Sequence, residues 1–483
     1  MTLGVASVVM TSARVEAPVV TTSSGRVSGR MVDGIASYLG IPYAAPPVGP
    51  AAFAAPAPAA AWDGVRDASE YGPTAPQSPY PGPIAALLDN VIADGDDYLN
   101  LNVWTPDPGS SNLPVMVWIH GGAFTRGSNR IVMYAGDTFA RDGVVCVGIN
   151  YRLGTAGFAS IDGAPENRGL LDQIAALRWV RDNIAGFGGD PDNVTVFGES
   201  AGAMSIASLI ASPVTSGLFT RAIMQSGNGN AAADPADARK STARMAQLLG
   251  VDAHADAFAQ VPADALLAAQ AQLGLEMMVQ PDPALWGSSV VRAGLGIMSQ
   301  FPVVDGELLT AVPQLAIADG AGSDIPLLAG WNADEFRFFL VAYGGVASVT
   351  EEIATAMVRL DPAGPEFIRQ RVAAGVGAGD ALCEALTAQA FAVPTTAIAT
   401  ARSQSPTYLY EFGYQSPRAD IRAGHVVEIP FVFDHLATAT QLIGPEPDQR
   451  IADDMHRAWV SFATTGDPGW DAHLPSAEVR RFV

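Results

Sequence analysis

The chain has 483 residues, of which 49% are hydrophobic and 16% charged, so it holds enough apolar material for a large buried core. Its formal net charge of −22 disfavours nucleic acid and anionic membrane surfaces as partners, because both attract clustered Lys and Arg side chains. The two cysteines, Cys146 and Cys383, do not suggest a disulfide framework, which favours a reducing compartment. A cytoplasmic location is therefore expected, with secretion left open.

The start of the chain differs from the rest in its pattern. Residues 1–16 begin with an apolar stretch but lack the basic start of a secretory signal, so they are expected to form a disordered leader. No run of about eighteen apolar residues occurs, so no membrane span is expected. Residues 17–483 show no clean boundary and are predicted to form a single domain.

Strand and helix patterns alternate through most of the chain. Residues 17–45 contain short alternating runs punctuated by glycine, which predicts a small N-terminal antiparallel edge. Continuous apolar runs at 115–119 and 143–150 predict strands that are buried on both faces of a sheet. Helical periodicity between such runs, as in residues 169–186, predicts a mostly parallel central sheet with helices on both faces, an α/β fold.

Two long stretches have a helical pattern and contain no predicted strand. Residues 231–300 and about 340–403 are predicted to be helical insertions over the active site. Because unrelated activities share one scaffold, substrate specificity is expected to depend on these insertions.

A short β-branched run, 194–197, leads into Gly198-Glu199-Ser200-Ala201-Gly202, and a helix-compatible run follows. This is the G-x-S-x-G pattern between a strand and a helix, which is typical of a nucleophilic serine on a sharp turn. A bulky side chain on either side of Ser200 would clash, which explains both glycines. The plain alternative is an ordinary glycine-flanked turn between a strand and a helix.

A serine hydroxyl needs a base to remove its proton and an acid to orient that base. On a sheet of this type the chain order is serine, acid, histidine, which leaves His425 and His435 as candidate bases. The loop signal Ala423-Gly424 favours His425. Asp334 and Glu335 both follow the predicted strand 325–330, and the residues themselves do not separate them.

The tetrahedral intermediate that forms when a serine attacks a carbonyl needs backbone N–H donors around its oxygen. One donor is expected from Ala201, directly after the serine. The others are expected from His120-Gly121-Gly122-Ala123, where glycines allow the backbone to approach closely. A glycine turn without this role is the alternative.

Several motifs occurring in order resemble the type-B carboxylesterase family, and the resemblance extends over nearly the whole chain. They are Gly40-Ile41-Pro42-Tyr43-Ala44, Leu101-Asn102-Val103-Trp104, Asn167-Arg168-Gly169-Leu170-Leu171-Asp172-Gln173 and the run from Phe197 to Gly202. The resemblance implies an α/β-hydrolase fold and a serine carboxylesterase that needs no cofactor or metal.

The resemblance also implies roles for individual residues. Gly330-Trp331-Asn332-Ala333-Asp334-Glu335 is similar to the family's acid loop, which selects Glu335, and the segment from His425 to Phe433 is similar to its histidine loop, which selects His425. Gly121, Gly122 and Ala201 would form the oxyanion hole, and Ser226 would hydrogen-bond the catalytic acid. Glu199 is a candidate for tuning the field at the serine or positioning the hydrolytic water, or else a packed residue of the turn. Arg152 and Asp172 are similar to an internal ion pair of the family.

The expected function is hydrolysis of small carboxylic esters, with short acyl chains or aryl alcohols, through an acyl-enzyme. Activity is expected to fall as His425 is protonated, near its ordinary pKa of about 6.5 or somewhat lower. A monomer or weak homo-oligomer is expected. Choline esters are not expected, because no tryptophan lies between Trp62 and Trp104, where cholinesterases bind the quaternary ammonium.

Two alternatives to a general esterase remain at the level of sequence. One is a specialised hydrolase of a carbamate, phthalate, pyrethroid or mycotoxin ester that uses the same three residues. The other, more remote, is a non-catalytic binding protein on this scaffold, although such relatives usually lose the serine.

Overall fold

The computed structural model describes residues 15–483, with side chains from residue 17 onward. The leader predicted at 1–16 therefore lies outside the described residues, apart from Val15–Glu16, which form the first strand.

Eleven of the fourteen strands in the described chain belong to one large sheet, and three form a small second sheet. The strands are Val15–Glu16 (β1), Val20–Thr22 (β2), Gly25–Ser28 (β3), Arg30–Val32 (β4), Ile35–Pro42 (β5), Val65–Asp67 (β6), Asn100–Thr105 (β7), Leu113–Ile119 (β8), Val145–Ile149 (β9), Gly189–Glu199 (β10), Arg221–Gln225 (β11), Leu327–Asn332 (β12), Thr407–Phe412 (β13) and Arg480–Phe482 (β14).

The large sheet has the order β1-β4-β5-β7-β9-β8-β10-β11-β12-β13-β14. The strands β8 to β14 are all parallel to one another in the sheet. At the N-terminal edge, β1, β4, β5, β7 and β9 pair antiparallel. The predicted mostly parallel sheet with an antiparallel N-terminal edge is thus confirmed. The small sheet is mixed, since β2–β3 is antiparallel and β3–β6 is parallel.

The α-helices connect and cover these strands. They are Asp137–Arg141 (α1), Gly154–Phe158 (α2), Arg168–Asn183 (α3), Ala201–Ala211 (α4), Pro235–Leu249 (α5), Ala255–Phe258 (α6), Ala263–Val279 (α7), Pro283–Trp286 (α8), Ser288–Gly294 (α9), Pro313–Ala318 (α10), Glu335–Leu340 (α11), Glu351–Met357 (α12), Gly364–Ala373 (α13), Ala378–Thr387 (α14), Val393–Ala401 (α15), Ile429–Val432 (α16), Thr440–Ile443 (α17), Gln449–Thr465 (α18) and His473–Ser476 (α19).

Two large apolar cores lie on opposite faces of the sheet. Alternate side chains of β8 show the division, because Val115, Val117 and Ile119 belong to one core and Met116 and Trp118 to the other. The first core includes residues of α3 and α4, and the second includes residues of α16 and α18. Burial on both faces explains why the central strands read as continuous apolar runs.

The two predicted insertions are helical in the structure. Helices α5–α9 occupy the first, and α12–α15 occupy the second. In the second, a π-helical turn at Ala388–Ala392 joins α14 to α15, so that Ala378–Ala401 is one 24-residue helix. By length and hydropathy it is the one described helix that could cross a membrane, but 56% of its most apolar window is buried inside the protein, as in a core helix.

Candidate active site

Ser200 lies where the central strand β10 ends and helix α4 begins. Its backbone angles, φ 55° and ψ −122°, are ones that a residue with a side chain rarely adopts. The turn is held by hydrogen bonds, because the Ser200 N–H donates to the Gln225 carbonyl (2.9 Å) and the Ser200 carbonyl accepts from the Met204 N–H (2.9 Å). Strain of this kind persists only where the surroundings enforce it, which makes Ser200 a candidate functional residue.

The two glycines of the motif are needed for close packing against β8. A Cβ atom at Gly202 would lie 1.9 Å from the Ile119 carbonyl oxygen, and one at Gly198 would lie 2.5 Å from the same oxygen. Neither distance is tolerable for a carbon atom. The predicted steric reason for the G-x-S-x-G pattern is thus confirmed.

A carboxylate and an imidazole meet at the same edge of the sheet. Glu335 follows β12 and is fully buried, and its Oε2 lies 2.6 Å from Nδ1 of His425, which is 3% exposed. The other carboxylate oxygen, Oε1, accepts the Asn332 N–H at 2.8 Å. The His425 N–H also donates to the Glu335 carbonyl (3.2 Å), so both backbone and side chain fix the position of the ring.

The two alternatives considered for these roles lie elsewhere. The Asp334 carboxylate accepts from Gln415 Nε2 at 3.2 Å and does not contact the imidazole. His435 contacts the Ala135 carbonyl and the Asp137 carboxylate. The structure therefore brings together Glu335 and His425, and leaves Asp334 and His435 outside the pair.

The free nitrogen of His425 faces a second carboxylate. Nε2 lies 3.0 Å from Oε1 of Glu199, the residue before Ser200. Among the described residues, the Ser200 hydroxyl makes no hydrogen bond with this nitrogen. Catalytic hydrogen bonds are often formed only when substrate is bound, so this arrangement is compatible with His425 acting as a base.

These carboxylates change the acid–base properties of the imidazole. Burial lowers the pKa of His425, but the charges of Glu199 and Glu335 outweigh burial and raise the pKa well above its ordinary value. Burial likewise raises the pKa of Glu199, against the opposing effect of His425. The expectation of an ordinary or lowered histidine pKa is therefore wrong, because it left out the second carboxylate.

A third buried carboxyl group, Glu428, lies next to this pair. Its Oε2 accepts from Asn332 Nδ2 at 2.7 Å, and its Oε1 accepts from Gln225 Nε2 at 3.3 Å. Burial, with the charges of Glu199 and Glu335, raises the pKa of Glu428 to about 8, so it is protonated at neutral pH. The motif after His425 contains Glu428, but only the fold shows that it lies among the other carboxylates.

The loop after β8 passes directly in front of Ser200. A Cβ atom at Gly121 would lie 3.0 Å from the Ser200 Cβ and 2.7 Å from Glu199 Oε2, so only glycine fits there. Ala123 and Phe124 have positive φ angles of 55° and 60°, which turn the loop sharply. Within the described chain, the N–H groups of Gly121, Gly122 and Ala201 donate to no other group, so they are available as donors.

A ring stack and a hydrogen bond, both from Tyr151, hold the start of this loop. The His120 ring stacks on the Tyr151 ring with centroids 4.6 Å apart, and the Tyr151 hydroxyl donates to the His120 carbonyl at 2.8 Å. Burial lowers the pKa of His120 to about 4, so the ring is neutral at physiological pH. His120 therefore supports the loop and adds no charge to it.

Ser226 does not form the hydrogen bond that the family resemblance implies. Its hydroxyl is buried and has no partner among the described residues, while its N–H donates to the Gly330 carbonyl at 2.9 Å. Both oxygens of Glu335 are already occupied by Asn332 and His425.

Some residues near the site were not found from the sequence. The rings of Phe339 and Phe391 lie 4.8 Å and 5.4 Å from the His425 ring, and so form part of its apolar surroundings. Both come from the helical insertion of residues 340–403 or its border, where no local pattern marks them. Among the described residues, no group of three or more His, Cys, Asp or Glu side chains could hold a metal ion.

Arg152, after β9, forms a buried ion pair with Asp172 of α3. The guanidinium and carboxylate are both fully buried, with Nη2 2.7 Å from Oδ1 and Nε 2.8 Å from Oδ2. The ion pair expected from the resemblance is thus confirmed.

The parallel sheet, the strained serine after its central strand and the adjoining carboxylate–imidazole pair define an α/β-hydrolase. The family model described as the carboxylesterase family matches residues 16–477. The chain is 38% identical to the para-nitrobenzyl esterase of Bacillus subtilis over 94% of this chain and 91% of that protein. It is 36% identical to the phenmedipham hydrolase of Pseudarthrobacter oxydans, over 94% and 91% respectively.

The solved structures agree with these relatives. The carboxylesterase EST55 of Geobacillus stearothermophilus has a TM-score of 0.80 with this protein at 36% identity, covering 95% of this chain and 92% of that one. The chain belongs to the carboxylesterase family, and it is a carboxylic-ester hydrolase.

Proposed function

We propose that the protein hydrolyses short-chain or aryl carboxylic esters through an acyl-enzyme formed on Ser200. His425 takes the hydroxyl proton as the oxygen attacks the ester carbonyl, and then returns the proton to the leaving alcohol. Glu335 orients the imidazole and stabilises its charged form. The observation that carries this proposal is the 2.6 Å contact between Glu335 and His425, at the same sheet edge as the strained Ser200.

The reaction also needs hydrogen-bond donors for the negative oxygen of the tetrahedral intermediate, and free N–H groups lie around Ser200. Those of Gly121, Gly122 and Ala201 would bind the oxygen of the tetrahedral intermediate, and such donors are each worth about 10²–10³ in rate. Helix α4 also begins at Ala201, so that the positive end of its dipole points at the developing charge. Water then attacks the acyl-enzyme with His425 again acting as the base.

The Glu199 carboxylate lies 3.0 Å from Nε2 of His425. This carboxylate favours the imidazolium that forms as Ser200 attacks, and it can hold the hydrolytic water in the second half of the reaction. We assign it a positioning role rather than a step of its own.

The test is covalent labelling of the nucleophile. An organophosphonate that carries a reporter group should label Ser200, as located by peptide mass spectrometry, and Ser200→Ala should lose both labelling and hydrolysis of a 4-nitrophenyl acetate substrate. The matched control is Ser205→Ala, one turn along the same helix, which should be labelled normally. Labelling at another residue, or unchanged hydrolysis by Ser200→Ala, would overturn the assignment.

A narrower substrate range is the second candidate, and it has support from one comparison. The relative named phenmedipham hydrolase shows that this family includes enzymes named for a single compound. A screen across acyl length and alcohol bulk, with carbamates included, separates the two. A general esterase hydrolyses many members at similar kcat/KM, whereas a specialised one shows a single strong preference.

The cellular compartment of the enzyme is proposed from its cysteines. Cys146 and Cys383 are both free and buried, which supports a cytoplasmic, reducing compartment. A monomer or weak homo-oligomer remains the proposed state. Sedimentation at several protein concentrations tests it, and a stable higher oligomer would contradict it.

A further inference from the structure

Arg126, a half-buried arginine on the loop beside Ser200, has no hydrogen-bond acceptor among the described residues, unlike the fully buried arginines. The side chain of Arg126 donates to no carboxylate, carbonyl or hydroxyl among the described residues, and its Nε is buried without a partner. Other buried arginines donate to carboxylates, to carbonyls or to both: Arg152, Arg168, Arg337 and Arg402. Because a buried donor without a partner costs free energy, the buried Nε makes Arg126 a candidate for binding a ligand.

Arg126 is part of the loop that carries the proposed oxyanion donors. Its N–H donates to the Gly122 carbonyl at 3.1 Å, and its Cγ lies 3.1 Å from where a Cβ on Gly122 would be. The start of the side chain therefore packs against Gly122. The side chain as a whole is half-buried, so part of it remains accessible to a ligand.

The guanidinium is held by an aromatic ring. Its carbon lies 5.1 Å from the centroid of the Tyr80 ring, a cation–π distance. Burial raises the pKa of Tyr80 to about 12, opposed by the charge of Arg126 and reinforced by that of Glu199. The charges of Arg126 and Glu199 therefore both act on the Tyr80 hydroxyl, which places Arg126 and Tyr80 near the residue before Ser200.

The segment that carries Tyr80 is fastened to the same loop. The Gln77 amide donates to the Gly127 carbonyl at 2.9 Å and accepts the Gly127 N–H at 2.8 Å. This pair of bonds joins the Tyr80 segment to the loop that carries Gly121, Gly122 and Arg126. The guanidinium carbon lies over this ring, and Nε of Arg126 has no hydrogen-bond partner among the described residues.

We propose that Arg126 binds a carboxylate carried by the ester substrate, so that the preferred substrates are monoesters with a free carboxylate near the scissile bond. This inference rests on the proposed function. A guanidinium presents paired N–H donors that match the two oxygens of a carboxylate. In a chain with a net charge of −22, such a local cation also offsets the repulsion that an anionic substrate would otherwise meet.

The experiment compares charged and neutral esters of equal shape. Monoethyl adipate and its amide, ethyl 6-amino-6-oxohexanoate, carry the test group on the acyl side. The 4-acetoxybenzoate anion and 4-acetoxybenzamide carry it on the alcohol side. The quantity measured is the ratio of kcat/KM for the charged ester to that for its neutral partner, at one pH and ionic strength.

Arg126→Gln should lower this ratio by about 10- to 100-fold for one of the two pairs, as expected for loss of a hydrogen bond between charged groups. Arg126→Lys, which retains the charge, should keep most of the preference. The matched control is Arg178→Gln, because Arg178 is an exposed arginine of α3 for which the described residues provide no partner. It removes the same charge from the exposed face of α3 and should leave the ratio unchanged.

A purely structural role would give a different result. If Arg126 only fastens the Tyr80 segment, Arg126→Gln slows charged and neutral esters equally and the ratio stays constant, which overturns the proposal. An equal fall of the ratio in Arg178→Gln overturns it too, because the effect would then come from net charge. Failure of all four esters together with absent labelling of Ser200 would instead overturn the proposed function, and this inference with it.

Discussion

The half of the site that carries Ser200 comes from one continuous run of chain, whereas the half that carries His425 is assembled from separated segments. In the first half, strand, turn and helix are adjacent, and contacts of 1.9 to 2.5 Å from an added Cβ enforce glycine at Gly198 and Gly202. In the second half, Glu335 and His425 are 90 residues apart and are held by a charged contact of 2.6 Å. The serine half is therefore defined by steric fit, and the histidine half by charge.

This difference makes the two halves vulnerable to different substitutions. A steric half should fail when volume is added and tolerate loss of charge. An electrostatic half should fail when charge is removed at constant volume. The following substitutions test this division.

Glu335→Gln tests the charged half and should have the largest effect. The amide keeps the volume but no longer stabilises the imidazolium, so kcat should fall by about 10⁴-fold, as for the corresponding change in a serine protease triad. The matched control is Asp334→Asn, next to it in the chain, which should stay within a few-fold of the parent. Steady-state kinetics on 4-nitrophenyl acetate measures both, and the reverse order would assign the acid to Asp334.

Gly121→Ala tests the steric half and should come second. The added methyl group would lie 2.7 Å from Glu199 Oε2 and 3.0 Å from Ser200 Cβ, which displaces the loop and its N–H donors. A fall of about 10²–10³ in kcat is expected, the size of one lost oxyanion donor. Gly148→Ala, where a Cβ meets nothing closer than 3.6 Å, is the control. Equal kinetics for the two variants would show that volume is not limiting here.

Glu199→Gln should have a smaller effect on rate but a distinct effect on pH dependence. The base must be neutral, so activity is lost as the pH falls through the pKa of His425. The charges of Glu199 and Glu335 raise that pKa, so removing one of them lowers it, and the acidic loss of activity should move to lower pH.

The pH dependence of kcat/KM measures this shift. The control for net charge is Glu446→Gln, which replaces an exposed carboxylate between α17 and α18 and should leave the midpoint unchanged. A midpoint that stays put or moves to higher pH in Glu199→Gln would show that Glu199 does not favour the imidazolium.

Ser226→Ala should have the smallest effect. Its buried hydroxyl has no partner among the described residues, so removing it leaves no group newly unsatisfied, and kcat/KM should change less than about threefold. A loss of tenfold or more would instead support the hydrogen bond to Glu335 that the family resemblance implies. Kinetics on the same 4-nitrophenyl ester separate the two results.

The sequence by itself determined the parts that depend on local pattern. Strands buried on both faces must be apolar throughout, so runs of apolar residues predicted the parallel sheet. The turn at Ser200 could be predicted because Gly198 and Gly202 flank it in the G-x-S-x-G pattern. The candidate oxyanion loop could likewise be predicted from its glycines. Chain order alone still left two acids and two histidines open, and the family resemblance selected between them.

Only the tertiary structure decided the electrostatics. Glu199, Glu335, Glu428 and His425 come from three regions of the chain, and no local pattern tells that their charges meet in one buried volume. The direction of the histidine pKa was therefore predicted incorrectly, and the protonated state of Glu428 was not foreseen. Arg126 is a similar case, because a missing partner can be recognised only when all neighbours are in place. The strand, turn and helix pattern around Ser200 is written in consecutive residues, whereas a pKa depends on every charge within several ångströms, whatever its distance along the chain.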